Sequence, residues 1–477
     1  MIDNRVNDAC TIVIDVGKTN AKTSLWDAAG RSIARCSRAN APQQAAGYRA
    51  LDVLGIDDWL IESLREFARQ ATVSRIVTVG HGAAAVLLQE GRLYAAPMDY
   101  EDEGNAEDRA EYALQRDSFV VTGSPLLPCG LNLGMQLHRL EKHHGPLPPN
   151  VTIVPWPQFW SWRLCGIAAS EMSSLGCHTD LWQPLARSFS PLAVRRGWAA
   201  RMAPIRAAGA QLGTITAKVA AQTRLPASCA VLCGMHDSNA ALLAARGHSE
   251  VAGYDATVLS TGTWFVAMRS FATDTAIDLG TLDDSRDCLV NVDVAGCPVP
   301  SARFMGGRET ELIGGIDAFA PTVSDNPEAL ISRLPALIAS GAAAYPSFVR
   351  GVGPFPHSAG EWRSKPTNPS DQRAITGLYL ALMADAALDL IGSRERLLIE
   401  GRFAEAVVFV RALAALRPGQ QMFVSNAHQD VAYGALRLVS SSLPPPCELT
   451  PVKPLDLDLA AYAVKWRARA HATQSAA

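Results

Sequence analysis

The stretch TIVIDVGKTNAKTSLWDAAGRSIARC, residues 11–36, restricts the fold more than any other part of the chain. An apolar run at Ile12–Ile14 ends on a carboxylate, Asp15, and a turn at Gly17; an alternating run follows from Ala21 to Trp26, then a turn at Gly30 and a third alternating stretch. Alternation at period two places one face of each run in a core, so the segment predicts a three-stranded antiparallel meander. The punctuation returns far downstream in TVLSTGTWFVAMRS, where an apolar run ending at Leu259 meets Ser260, Thr261, Gly262 and Thr263 before a new apolar strand. The chain therefore reads as internally duplicated at the level of its hairpins.

Between the copies lie a helical stretch from Trp59 to Gln70, a strand-like IVTVG at Ile76–Gly80 and a proline-rich region from Pro146 to Pro157. Alternating strands and helices indicate an α/β protein. The segment VLCGMHDSNAALLAARG reads as a short apolar strand, a Gly234 turn and a helix from about Asp237 to Gly247, which closes the first half. A domain boundary is placed there, giving an N-terminal domain over 1–247 and a C-terminal domain over 248–477. A chain of 477 residues, 48% of them hydrophobic, has enough apolar material for two such cores.

Charge and composition exclude several function classes. The net charge is −3 with basic residues scattered, so no stripe exists to track nucleic-acid phosphates. No uninterrupted apolar run is long enough for a membrane helix, and the opening MIDNRVNDAC carries acids where a secretion signal carries basic and then apolar residues. A soluble cytoplasmic protein is expected. The ten cysteines include no CxxC pair and no compact Cys/His cluster, which argues for reduced, mostly buried thiols rather than structural zinc.

Three segments can carry chemistry. DVGKTNAK sets a carboxylate at a strand end, then a glycine that admits close backbone approach, then Lys18, Thr19 and Asn20 as donors to phosphate oxygens. Asp15 is the candidate ligand for Mg2+. The same octapeptide also reads as an ordinary hairpin turn. STGTW supplies a second polar turn, and two such turns could grip a triphosphate from both sides. GMHDSNAA puts Asp237 at a helix start, where free amides and the macrodipole favour an ionised carboxylate able to accept a proton, or one that merely caps the helix.

Other polar residues could frame a sugar: His81 in GHGAAAV, Asp99 and Glu101 in PMDYED, Glu171 in SEMSSLG, His236 in GMHDSNAA, and Arg308 with Glu309 in FMGGRE. Trp156, Trp160 and Trp162 read as core rather than as a stacking face.

The order DVGKTNAK, GHGAAA, GMHDSNAA, STGTW and GGRE, from Thr11 to about Val439, resembles the FGGY carbohydrate kinases. The first hairpin resembles that family's DxGTTxxK, which implies magnesium and phosphate roles for Asp15, Gly17, Thr19, Asn20 and Lys22, with Lys18 replacing a smaller residue. The family's GxHDxxAA pattern matches Gly234, His236, Asp237, Ala240 and Ala241, and implies Asp237 as the base. STGTW resembles its second phosphate hairpin and implies contacts from Ser260, Thr261, Gly262 and Thr263. VPWPQFWSWRLCG is similar to the segment ending in YRLTG, and SNAHQDVAYGALRLV to the family's C-terminal tail. Where most members carry three glycines against the adenosine, IEGRFAE keeps Gly401 and places Arg402 and Phe403 beside it, which leaves nucleotide preference open.

The resemblance implies two ribonuclease H-like domains of the actin, Hsp70 and sugar kinase superfamily around a central cleft, ATP mainly on the C-terminal domain and sugar mainly on the N-terminal one. It implies ATP and Mg2+ as requirements, a small ketose as substrate with L-fuculose and L-rhamnulose as first choices, and a homodimer. The GHGAAAVLL loop is what points to the deoxyketoses. An ATPase module like actin or Hsp70, and a sugar sensor without chemistry, are the alternatives.

Overall fold

The alternation in residues 11–36 becomes β1 (Val6–Val16), β2 (Asn20–Trp26) and β3 (Ser32–Ala39), an antiparallel meander as anticipated. This is the computed structural model of the chain, and it describes residues 6–45, 47–273, 275–314, 326–425, 430–445 and 447–474. The first five residues of the acidic N-terminus, and Asn426–Gln429 of the tail motif, lie outside the described residues.

Helix α1 (Val53–Gln70) follows the meander. It starts where the Asp52 side chain accepts from the Gly55 amide, and buries Ile56, Leu60, Leu64, Phe67 and Ala68, apolar residues recurring at three to four positions. Strand β4 (Ala71–Gly80) then returns parallel to β1, with Asp15 opposite Val79 and Val16 opposite Gly80. Helix α2 (Trp156–Cys165) packs on this sheet with Trp156, Phe159 and Trp160 in the core, the role expected for the tryptophans. Strands β5 (Gln211–Thr214) and β6 (Ala230–Leu232) complete the order β5-β6-β4-β1-β2-β3, and β7 (Met235–His236) lies parallel beside the end of β4. Helix α3 (Asp237–Ala245) leads away from β7.

Gly234 makes the step from β6 to β7. Its φ is +82°, and a Cβ there would fall 2.1 Å from the Thr78 carbonyl oxygen, so both the dihedral and the space require glycine.

The later half repeats the plan. Strands β8 (Ala256–Thr261), β9 (Phe265–Ser270) and β10 (Pro298–Phe304) are antiparallel neighbours, followed in the chain by helices α4 (Gly306–Gly314) and α5 (Pro369–Leu390). Strand β11 (Arg396–Gly401) pairs parallel to β8; after helix α6 (Val407–Leu416), strand β12 (Gln421–Val424) pairs parallel to β11. The order β10-β9-β8-β11-β12 matches β3-β2-β1-β4-β6, so the duplication read from two hairpins extends to both sheets. Helix α5 is apolar almost all round and is buried over most of its length, as a helix without a polar face must be.

The chain divides into two compact units. The first break falls after Gly247, but 290–298 and 429–444 return to the first unit, so a continuous division at that point is corrected. The reason is packing: the helix Asp430–Val439 buries Tyr433, Ala435 and Leu436 in the same core as Val13, Val77, Val79 and Ala240. Among the described residues no helix is long and apolar enough to cross a membrane, and all ten cysteines are free thiols.

Candidate functional site

In the first unit, parallel pairing brings three chain segments to one sheet end. β1 and β7 both run beside β4, so Asp15 lies opposite Val79, and Met235 and His236 lie opposite Val79 and Gly80. The residues that leave this end are the Gly17 turn after β1, His81 after β4, and Asp237 after β7. Ligand sites in α/β sheets form at the carboxyl ends of strands for this reason.

Asp237 is the first residue of α3, and the capping position is His236. Its Oδ1 accepts from the Ser238 amide at 2.6 Å and the Ser238 hydroxyl at 3.3 Å, and lies 3.1 Å from His236 Nε2. Among the described residues every hydrogen bond to this carboxylate falls on Oδ1, which leaves Oδ2 open. Asp15 is close enough to feel that charge: burial, and then Asp237, push its carboxyl up to about 7, and Lys22 opposes the shift.

His81 is 7% exposed, and neither ring nitrogen has a hydrogen-bond partner. Burial holds its pKa down to about 4, with His236 and Lys18 acting in the same direction and Asp237 against them. A neutral imidazole with one free donor and one free acceptor is suited to hydroxyls. Its ring lies edge-on to Tyr100 at 5.4 Å and tilted to Trp156 at 5.7 Å.

Several expected side chains are engaged differently. Lys18, expected as a phosphate donor, is ion-paired with Asp99 at 2.5 Å and Glu101 at 3.3 Å. Arg49, absent from the sequence reading, holds the same two carboxylates at 2.8 Å each. Asp99 is fully buried and also accepts from the Glu101 amide, so the group meant to face a sugar is largely an internal clamp on Lys18. Glu171 is likewise buried and caps the turn Met172–Leu175, accepting from the amides and hydroxyls of Ser173 and Ser174. Burial pushes its pKa up to about 7, against those hydrogen bonds. It reaches the site indirectly, because Ser173 Oγ accepts from the His236 amide at 3.2 Å.

At the first turn, Thr19 and Asn20 are exposed, with Asn20 Nδ2 donating to Thr19 Oγ1 at 3.2 Å. The Gly17 carbonyl accepts from Asn40 Nδ2 at 3.0 Å, which ties the turn to the residue that follows β3. Lys22 is exposed on β2, opposite Asp15 in register.

In the second unit, STGTW is a hairpin turn between β8 and β9, closed by Gly262 N donating to Trp264 O at 3.0 Å. Its first two hydroxyls serve the strand beside it: Ser260 Oγ donates to Glu400 Oε1 at 2.6 Å, and Thr261 Oγ1 donates to Glu400 O at 2.5 Å and accepts from Phe403 N at 3.0 Å. Gly262 and the exposed Thr263 are the parts of the motif turned outward. Gly401 has φ +85°, and a Cβ there would meet Thr261 O at 2.3 Å, so it is glycine for strand pairing. Phe403 packs in the core 4.9 Å from Phe265, while Arg402 is exposed beside it. Arg308 is exposed on α4 and pairs with Glu311 at 2.7 Å; its neighbour Glu309 is buried against the Phe348 and Val349 amides and the Tyr379 hydroxyl.

Arg49, Asn239, Gly82 and Cys177 also belong to the first unit's site and were missed. Gly82 follows His81, and a Cβ on it would fall 2.0 Å from Cys177 Sγ and 2.8 Å from the His236 ring. GHGAAA and HDSN name Gly82 and Asn239 as neighbours of chosen residues, but nothing local marks Arg49 or Cys177.

Residues 253–446 match the model of the carbohydrate kinase FGGY C-terminal domain. A solved carbohydrate kinase from Novosphingobium aromaticivorans is 49% identical, with a TM-score of 0.94 over 98% of this chain and all of that one. The L-fuculokinase of Salmonella typhi is 27% identical over 282 residues, spanning 56% of this chain and 58% of that enzyme. Xylulose kinase from Rhodospirillum rubrum shares the fold at 18% identity, with a TM-score of 0.78 over 98% of each chain.

Proposed function

From its membership of the FGGY carbohydrate kinases, the family to which this chain belongs, we propose that the protein transfers the γ-phosphoryl group of ATP to a hydroxyl of a small ketose, with Asp237 as general base. The observation that carries this reading is the meeting of Asp15, His81 and Asp237 at one strand end, with Asp237 Oδ2 open and both His81 nitrogens unpartnered.

Oδ2 accepts the proton of the attacking hydroxyl as the bond to phosphorus forms. His81 accepts from one sugar hydroxyl and donates to another. Lys18, fixed by Asp99 and Glu101, presents a localised cation to the sugar side rather than to the phosphates. Thr19, Asn20 and the Gly17 turn hold phosphate oxygens, and the Gly262–Thr263 turn of the second unit does the same for the nucleotide.

Asp15 fits Mg2+: its carboxylate is pushed toward protonation by burial and by a second carboxylate, and a hard divalent cation relieves both. Among the described residues no group of three His, Cys, Asp or Glu side chains forms a metal cage, so water and phosphate would complete the shell, as Mg2+ prefers. Bound there, the ion neutralises charge on the phosphates.

The substrate reading is a deoxyketose such as L-fuculose or L-rhamnulose, supported by the similarity to L-fuculokinase and by the GHGAAAVLL loop. The test is coupled ADP release from Mg-ATP over a panel of ketoses, aldoses and polyols. One sugar should give strong turnover that Asp237→Asn lowers about 10²- to 10⁴-fold. Steady ATP hydrolysis independent of every sugar would overturn the reading in favour of an ATPase module.

A further inference from the structure

His236 is buried and is approached at both ring nitrogens. Nε2 lies 3.1 Å from Asp237 Oδ1, and Nδ1 lies 3.3 Å from Asn239 Nδ2. An ionised carboxylate only accepts hydrogen bonds, so the first contact needs the proton on Nε2. Burial beside His81, Cys177 and the Gly82 backbone favours the neutral ring, with Asp237 opposing. Nδ1 then carries a lone pair and needs a donor, which the Asn239 amide provides. With the amide turned over, Asn239 Oδ1 would call for a proton on Nδ1, and Nε2 would face the Asp237 carboxylate as a second acceptor.

We propose that Asn239 is a positioning residue of the kinase reaction: its amide fixes His236 as the Nε2–H tautomer, and His236 in turn pins Asp237 Oδ1 so that Oδ2 meets the substrate hydroxyl. The inference rests on Asp237 as the base. Three donors then converge on Oδ1, the Ser238 amide, the Ser238 hydroxyl and His236 Nε2, and rotation of the carboxylate would break all of them. The ring itself has little freedom. A Cβ on Gly82 would lie 2.8 Å from His236 Cδ2 and 3.0 Å from Nε2, so the backbone there is packed against the ring edge. The His236 amide is anchored to Ser173 Oγ, which donates to the buried Glu171 at 2.5 Å.

Asn239 itself is 2% exposed, and its Oδ1 has no hydrogen-bond partner. The other buried positions of α3, Ala240, Leu242, Ala244 and Ala245, are apolar. An amide with an orphaned carbonyl is a poor choice for packing alone, and its donor end at Nδ1 is what accounts for it.

The test reads the tautomer directly. In protein labelled with 15N-histidine, long-range 1H–15N correlation distinguishes the two neutral forms, and His236 is identified by the signal lost in His236→Gln. The wild-type protein should show the Nε2–H form. Asn239→Leu should lose that single form and lower kcat on the order of 10- to 100-fold with little change in sugar KM. Asn239→Asp, nearly the same shape, should draw a proton onto Nδ1, and it serves if the leucine variant does not fold. An Nδ1–H form in the wild type, or a wild-type spectrum in the variants, would overturn the proposal. The spectrum needs no substrate: absent turnover with the Nε2–H form would sink the kinase reading, and normal turnover with the other form would sink this one.

Discussion

Replacing Gly434 with alanine would drive a methyl carbon to 1.7 Å from the carbonyl oxygen of Ala240 and 2.5 Å from its carbonyl carbon. Gly434 lies in the helix Asp430–Val439, and Ala240 lies in α3, three residues after Asp237. Both contacts are backbone, so no rotamer change relieves them. An ordinary carbon–oxygen contact is about 3.3–3.6 Å, so the helices must part by roughly 1.5 Å. A gap of even 0.5–1 Å forfeits about a quarter to a half of each van der Waals well across the contact. With Tyr433, Ala435 and Leu436 sharing a core with Val13, Val77, Val79 and Ala240, the loss falls near the top of the overpacking range of about 1–3 kcal/mol. At about 2–4 °C per kcal/mol for a unit of this size, the apparent melting midpoint drops about 4–10 °C. Turnover drops as well if Asp237, the first residue of α3, is the base proposed above. Gly419→Ala, where nothing lies within 4 Å of the added carbon, is the matched control. Thermal scans at one fixed rate, with coupled ADP release, measure both effects. A Gly434→Ala midpoint within about 1 °C of the wild type would refute the argument from close helix approach.

Asp15→Asn should stabilise the metal-free protein at pH 8 by on the order of 4 kcal/mol and change it little near pH 4. The sign follows from the folded pKa of about 7 against 3.8 for the ordinary side chain: between these values the native state holds a proton that the unfolded chain has released, so the wild type loses stability as pH rises through this window. Urea unfolding at the two pH values checks it, and an equal effect at both would contradict the assignment; Mg2+ should raise the midpoint of the wild type but not of the variant. Lys18→Met should raise the sugar KM about 10-fold or more, the loss of one charged hydrogen bond, while the ATP KM stays within about twofold. A change confined to the ATP KM would return Lys18 to the phosphate role.

The sheets were legible because strand alternation and turn glycines are local properties. Ile12–Ile14, Gly17, the run to Trp26 and the Gly30 turn fix the first meander, and the same signals around Ser260–Thr263 announce the second. Asp15, His81 and Asp237 were legible for a related reason: each follows directly on a readable apolar strand, and parallel strands carry their ends to one place. Less legible was what each polar group faces. Lys18 meets Asp99, 81 positions away, and Ser260 meets Glu400, 140 positions away; such partners depend on how distant segments pack, and no window of sequence contains them.

The sequence by itself determined the α/β architecture, its duplication and the three segments that supply a carboxylate, a histidine and a second carboxylate, because side-chain period and backbone freedom act within a few residues. Tertiary structure alone decided the assignments inside that frame. It enlisted Arg49 and made a clamp of Asp99, turned Glu171 inward as a cap, buried Phe403 beside Phe265, and set Asn239 against His236. It also returned the helix Asp430–Val439 to the first unit, where Gly434 meets Ala240. These outcomes follow from burial: a polar group removed from water takes whichever partner the packed chain brings within about 3 Å, and that is a property of the fold rather than of neighbouring residues.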